Sequence, residues 1–167
     1  MTGPGGNTDA TKTTSYKVVL PFYGYASFAF FIATALLFLS ISNITTHYFH
    51  PHSLALTHIM ALGWGTMMIL GASHQLVPVL IEGKLFSNKL AFTSFVLAAV
   101  GVPLLCYGFY MFDMGWPAKW GGRFVILAII AYLINVAVSM ARSKHENVHA
   151  VFVFTATLWL LVTALIG

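Results

Sequence analysis

Histidine outnumbers the acids in this chain, seven His against four Asp and Glu. Neutral imidazole is the usual protein ligand for heme iron, copper and zinc. Three of the His lie close together as Thr46-His47-Tyr48-Phe49-His50-Pro51-His52. That density could bind copper or zinc, although no Cys or carboxylate completes the set. His58, His74 and His149 instead lie inside long apolar runs. The single cysteine, Cys106, excludes a disulfide framework, a Cys-rich zinc site and an iron–sulfur cluster built by this chain alone. A phosphate-binding Gly loop after a strand, a nucleophile elbow and a paired-carboxylate site are all missing from the sequence.

The elements that must position these His follow from composition. Of 167 residues, 59% are hydrophobic and 7% charged, and the mean hydropathy is +0.85. A soluble domain is about 25% charged, so too few polar groups exist here to cover a water-facing surface. The class implied is an all-α, polytopic transmembrane helical bundle in contact with lipid. Five continuous apolar runs are long enough to span a bilayer: 21–44, 53–81, 88–111, 117–140 and about 147–166. Residues 1–16 read as a disordered polar tail, and 17–167 as the membrane domain. Pro21 and Pro117 suit first-turn positions, Ser53 suits a cap of the second span, and Ser143 with Glu146 has capping-box spacing. Gly101 and Pro103 interrupt the third span, with packing as the preferred reading.

Lys and Arg set the orientation. With the N-terminus inside, the inner segments hold Lys12, Lys17, Lys84, Lys89, Arg142 and Lys144, and the outer segments only Lys119 and Arg123. Trp116, Trp120, Tyr48 and Phe49 then form an outer aromatic belt. The net charge of +4 is explained by topology, and nothing calls for nucleic acid. At the α-helical rise, His58 lies roughly 13 Å to the outer side of its span's midpoint and His74 roughly 10 Å to the inner side. Uniform helical spacing puts the two on nearly opposite faces. His149 lies about 11 Å to the inner side of its own span by the same rise, so His74 and His149 share a depth and form an alternative heme pair. Ala61, Gly65 and Ala72 share the His58 stripe, which leaves room for a flat macrocycle or lets another helix approach. Trp64 and Trp159 could contact a porphyrin, and Met67 or Met68 could ligate one, with packing the default for all four. Asn135 is expected to hydrogen-bond to a neighbouring helix.

The stretch His58-Ile-Met-Ala-Leu-Gly-Trp-Gly, then Gly71-Ala-Ser-His-Gln-Leu-Val-Pro-Val and Gly83-Lys-Leu-Phe-Ser, resembles the second helix of the heme–copper oxidase catalytic subunit. The relatives in mind are cytochrome c oxidase subunit I and the large subunit of nitric oxide reductase. The resemblance covers about 35 residues. It implies that His58, five residues before Gly63, is an axial ligand of a low-spin heme. It also implies a respiratory setting in a bacterial inner membrane. The family has about twelve helices and this chain has room for five. The helices carrying the second heme ligand, the copper-site His and the active-site heme ligand have no counterpart here. The chain alone is therefore not expected to reduce oxygen or nitric oxide.

Three functions follow as expectations. The first is a small heme b protein for electron transfer or for binding a diatomic gas. Its second axial ligand would come from another copy, another respiratory subunit or an outer-loop His. The second is a cofactor-free structural or assembly subunit of a membrane respiratory complex. The third is an outward-facing copper-handling protein using His47, His50 and His52. The orientation has a direct test. In a Cys106→Ser background, a membrane-impermeant maleimide added to intact cells is expected to label Lys119→Cys and spare Lys84→Cys; the reverse pattern inverts the topology.

Overall fold

The computed structural model describes residues 14–44, 47, 49–143 and 148–166. Every regular element among them is helical. α1 is Tyr16–Leu39 and α2 the short turn Ile41–Ile44. α3 runs from Pro51 to Leu80 in three pieces: α-helix Pro51–His58, π-helix Ile59–Thr66 and α-helix Met67–Leu80. α4 is Asn88–Tyr110, α5 Trp116–Ala141 and α6 Val148–Ile166. The helices α1, α3, α4, α5 and α6 are each long and apolar enough to cross a membrane. The five expected spans are present, and the protein is built as an integral membrane protein. Loops 81–87 and 111–115 are short, which makes their flanking helices antiparallel neighbours.

Several boundaries differ from the sequence expectation, each for a local reason. α1 begins at Tyr16, five residues before Pro21, because Lys17-Val-Val-Leu continues the apolar run. Pro21 therefore sits inside the helix, near enough to its start to forfeit only one backbone bond. The stretch expected to be a disordered tail thus ends in ordered residues: Ser15 precedes α1, and Thr14 Oγ1 donates to His74 O at 2.5 Å. α3 begins at Pro51, not Ser53, and its cap is His50, whose side chain accepts from His52 N–H. Ser53 Oγ is buried with no partner. Pro117 does fall in the first turn of α5. Ser143 Oγ donates to Ile81 O at 2.9 Å, while its expected capping partner Glu146, like Tyr48 of the aromatic belt, lies outside the described residues.

The hairpin of α4 and α5 is the closest helix pair. A Cβ built on Gly101 would stand 2.9 Å from Val125 N, and one on Gly108 2.9 Å from Ala118 N. A Cβ on Gly121 would stand 2.4 Å from Leu105 N. Lipid chains are as apolar as Leu, so helices in a bilayer associate by close packing and hydrogen bonds, and small residues allow the approach. Gly101 is thus a packing residue, as its sequence context suggested. Ser94 Oγ adds a buried bond across the pair, donating to Ala128 O at 2.9 Å. The polar end of the hairpin is held by Asn135. Its Oδ1 accepts from Ser87 N–H at 3.0 Å and its Nδ2 donates to Ser87 O at 3.1 Å. Ser139 Oγ accepts from Phe86 N–H at 2.8 Å. Asn135 therefore grips the turn before α4 rather than the body of a helix, and Ser87 Oγ in turn caps α4 at Leu90 N–H.

α1 lies against α3 through two more glycines. A Cβ on Gly63 would meet Ala29 Cβ at 3.0 Å, and one on Gly71 would meet Phe22 Cβ at 2.9 Å. α6 joins by Ala150, which packs in the same core cluster as Leu70, Val77, Tyr132 and Val136. Gly121 and Gly122 give a matched test. Gly121→Ala is expected to lower stability in detergent by about 2 kcal/mol or more, because its Cβ meets backbone. Gly122→Ala, with nothing within 4 Å, is expected to be neutral within about 0.5 kcal/mol. Thermal unfolding of the two purified variants compares them.

Candidate functional site

Five of the six candidate His divide by how each spends its Nδ1 atom. His58 is the last residue of the first α-helical piece of α3, and its Nδ1 lies 2.7 Å from Leu54 O. His74 repeats the arrangement, with Nδ1 2.8 Å from Leu70 O. A carbonyl oxygen only accepts, so each Nδ1 carries the proton and each Nε2 keeps its lone pair. This is how metal-ligating His are commonly held, with one nitrogen anchored to a carbonyl and the other offered. The loop His do the opposite. His47 Nδ1 accepts from Phe49 N–H at 3.1 Å, and His50 Nδ1 accepts from His52 N–H at 3.3 Å. Their Nδ1 lone pairs are committed to the backbone. His52 Nδ1 pairs with the buried Ser40 Oγ at 2.8 Å, and its ring stacks on Tyr110 at 4.7 Å. The loop cluster thus starts α3 and ties it to the end of α1. Among the described residues, no group of three or more His, Cys, Asp or Glu is placed to hold a metal ion.

His58 and His74 differ in access. His58 is half-buried, with its ring 4.2 Å from that of Phe109 on α4. His74 has no exposed surface. Phe22 of α1 and Tyr132 of α5 lie 5.2 and 5.0 Å from its ring, centroid to centroid. Its Nε2 is buried with no partner among the described residues. The enclosure leaves no side from which a porphyrin reaches that nitrogen. His149, its expected mate, is exposed at the start of α6, while the adjacent Ala150 faces the core. The two therefore differ in environment. His74 also marks a gap in the helix. Pro78, four residues on, has no N–H to give to His74 O, and the Thr14 hydroxyl takes that place.

The π-helical segment changes how the His58 stripe is read. A π-helix bonds i to i+5, is rare, and is frequent at functional sites. Here it holds Gly63 and Gly65, and Thr66 Oγ1 donates to Ala61 O, five residues back, at 2.9 Å. Uniform α spacing does not carry across it, so neither the opposite faces of His58 and His74 nor the stripe through Ala61, Gly65 and Ala72 follows from counting. Gly63 and Gly71 are the residues that receive α1. Gly65 meets only Met60 O of its own helix, at 3.4 Å, and Ala61 and Ala72 are exposed. Among the described residues, no other helix comes within 4 Å of a Cβ built on Gly65, which is itself half-buried. Trp64 is 38% exposed and lies 5.1 Å from the Phe30 ring. Met67 is fully buried, as packing requires, and Trp159 is 66% exposed. Among the residues after His58, Ala61, Trp64 and Ala72 are therefore exposed and Gly65 is half-buried.

Counting residue types missed three things here. The His50 cap was hidden because His is not among the usual capping residues. The π segment has no simple sequence signature beyond its two glycines. The third is a cavity of about 210 Å³ lined by Tyr25, Phe28, Ile32, Ile59, Val102 and Cys106. It opens between α1, α4 and the first residue of the π segment. Comparison with protein-family models, with curated proteins and with solved structures finds no match to the chain. The capping role has its own test. His50→Ala is expected to cost about 1 kcal/mol in thermal or denaturant unfolding, and His50→Asn to recover most of it.

Proposed function

We propose that the protein is a small heme b-binding membrane protein with His58 as an axial ligand, serving electron transfer or the binding of a diatomic gas. The carrying observation is the state of His58. Its Nδ1–H is anchored to Leu54 O, its Nε2 has no partner among the described residues, and the ring is half-buried within a helix long and apolar enough to span a bilayer. An imidazole in that state is ready to ligate, and an ionisable group at that depth is expensive without a purpose. Gly65, where a built Cβ meets only Met60 O of its own helix, and the exposed Trp64 would offer room and an aromatic edge on the same helix. The resemblance of residues 58–90 to the second helix of the heme–copper oxidase catalytic subunit supports the same assignment. It also supports a bacterial inner membrane with the N-terminus inside and a respiratory partner.

Heme, when bound, supplies one-electron chemistry or a gas-binding iron. The chain supplies the imidazole, its orientation and a medium that excludes water. One His on this surface leaves the opposite axial position to a second copy of the chain, another subunit or a gas molecule. His74 is not assigned to heme in this reading, because its enclosure by Phe22 and Tyr132 favours a structural place in the core. His149 is left without its proposed mate. The copper reading through His47, His50 and His52 is weaker, since two of these spend Nδ1 on backbone N–H groups.

The test is an optical spectrum of protein purified from heme-sufficient cells, recorded before and after reduction. Soret and α bands are expected in the native protein. His58→Ala is expected to lose heme at least tenfold, on the order of the loss seen when metal sites are disturbed. His149→Ala is expected to retain it. Native protein without heme favours a cofactor-free assembly subunit, and retained heme in His58→Ala moves the ligand elsewhere.

A further inference from the structure

Toward each end of α5 an arginine lies over an aromatic ring, and one of the two rings belongs to a tethered loop. Arg142 is the C-cap of α5, and its guanidinium carbon stands 4.5 Å from the centre of the Phe86 ring. Phe86 is held from behind. Its N–H donates to Ser139 Oγ at 2.8 Å, and Ser87 N–H donates to Asn135 Oδ1 at 3.0 Å. Ser143 Oγ fixes the other end of the same loop through Ile81 O at 2.9 Å. Loop 81–87 is thus tied to the end of α5 at both of its own ends, and Lys84 lies between the ties. Only Leu85 separates Lys84 from Phe86, so their Cα atoms are at most roughly 7 Å apart, a gap a lysine stem can cross. At the start of α5, Arg123 lies 5.0 Å from the Trp120 ring, but there both members belong to one helix.

The cations at the loop are not spent within the protein. Arg142 and Lys84 are exposed, and among the described residues neither forms an ion pair. Glu82, the acid of the same loop, is exposed and pairs with neither. A guanidinium resting on a ring keeps its N–H edge, and that planar fork matches two oxygens of a phosphate. Beside the cations lies hydrocarbon surface. Val138, Ile134 and Leu127 fall on the same face of α5 as Arg142 by helical spacing. Ile134 is 46% exposed and Leu127 48%. From Arg142 to Leu127 the helix rises about 22 Å, more than the depth of one leaflet, about half of a 30 Å core. A ligand that fits has a phosphate at one end and an acyl chain at the other. A free phosphate would gain the first contact and not the second.

We propose that Lys84 and Arg142, the latter held by the Phe86 ring, bind the phosphodiester headgroup of an anionic phospholipid, with an acyl chain along Val138, Ile134 and Leu127. Heme at His58 is not required for it. The test titrates protein stripped of lipid in dodecyl maltoside with phosphatidylglycerol or with phosphatidylcholine, and reads the bound lipid by native mass spectrometry. Phosphatidylglycerol is expected to bind at least tenfold more tightly, because choline brings a further cation to a basic surface. Arg142→Gln and Lys84→Gln are each expected to weaken phosphatidylglycerol about fivefold, the usual worth of one basic residue beside an anionic headgroup. Arg123→Gln removes the same charge from the other end of α5 and is expected to leave binding within about twofold of native. Glycerophosphoglycerol, the headgroup without its chains, is expected not to displace the lipid at equal concentration. Thermal unfolding of the lipid-free variants is expected to match that of the native protein, which separates a lost site from a lost fold. Equal binding of the two lipids, or an equal loss in Arg123→Gln, overturns the proposal in favour of a general charge effect. Displacement by glycerophosphoglycerol overturns it in favour of a soluble phosphate ester.

Discussion

The bundle depends on one constraint: a backbone polar group inside hydrocarbon must find a partner in the protein itself. Several places where this chain breaks helical regularity carry a group that repairs the break. Pro78 removes the donor for His74 O, and Thr14 replaces it. The π segment is accompanied by the Thr66 hydroxyl on Ala61 O. The turn before α4 exposes the backbone of Phe86 and Ser87, and Ser139 and Asn135 engage it. Ile81 O at the end of α3 receives the Ser143 hydroxyl. α3 and α4 both close with a residue at positive φ, Glu82 at 49° and Phe112 at 54°. The N–H groups that follow, of Gly83 and Asp113, return to Pro78 O and Gly108 O. That closing pattern satisfies the final carbonyls of a helix. The sparse polar residues of this chain are spent in large part on such repairs.

The same economy bears on which His could act. A side chain that mends the backbone has used the lone pair or proton that chemistry would need. His47 and His50 are in that position. His58 and His74 anchor only their Nδ1–H groups. Of these, His74 is sealed by aromatic rings and His58 keeps a free edge. What each His can do in this protein therefore depends on which of its atoms the fold leaves uncommitted, rather than on how many His lie together.

Much of the architecture was legible in the residue pattern. Five apolar runs gave five spanning helices, because length and hydropathy are properties of each segment alone. The packing role of Gly101 could be read from its place in a span, and a hydrogen-bonding role for Asn135 from its polarity there. What could not be read depended on two segments meeting. The start of α1 at Tyr16, ahead of Pro21, brings Thr14 to His74. The cap passed from Ser53 to His50, since Pro51 was able to occupy the first turn. Counting by 3.6 residues across 59–66 failed because the hydrogen bonds there skip one residue further. The pairing of His74 with His149 was drawn from helical rise alone, which says nothing of facing: Ala150 turns toward the core and His149 is exposed, while His74 is fully buried. The cavity at Tyr25 draws on three segments and has no signal in any one of them.

The bare glycine faces of α4 and α5 also bear on how the molecule comes to be built. These two helices are adjacent in sequence, joined by a short turn, and in near backbone contact at Gly101, Gly108 and Gly121. Contacts between neighbours in sequence form with little loss of chain entropy, and larger proteins assemble by units as synthesis proceeds. The α4–α5 hairpin is such a unit. It can close as soon as both helices have emerged, before α6 exists. α1 and α3 then have a surface against which to settle, and α6 is the last to dock, through the buried Ala150 and Thr157 and the partly buried Leu160, Leu161 and Ala164. The order of assembly is thus written in the places where the chain has no side chain at all.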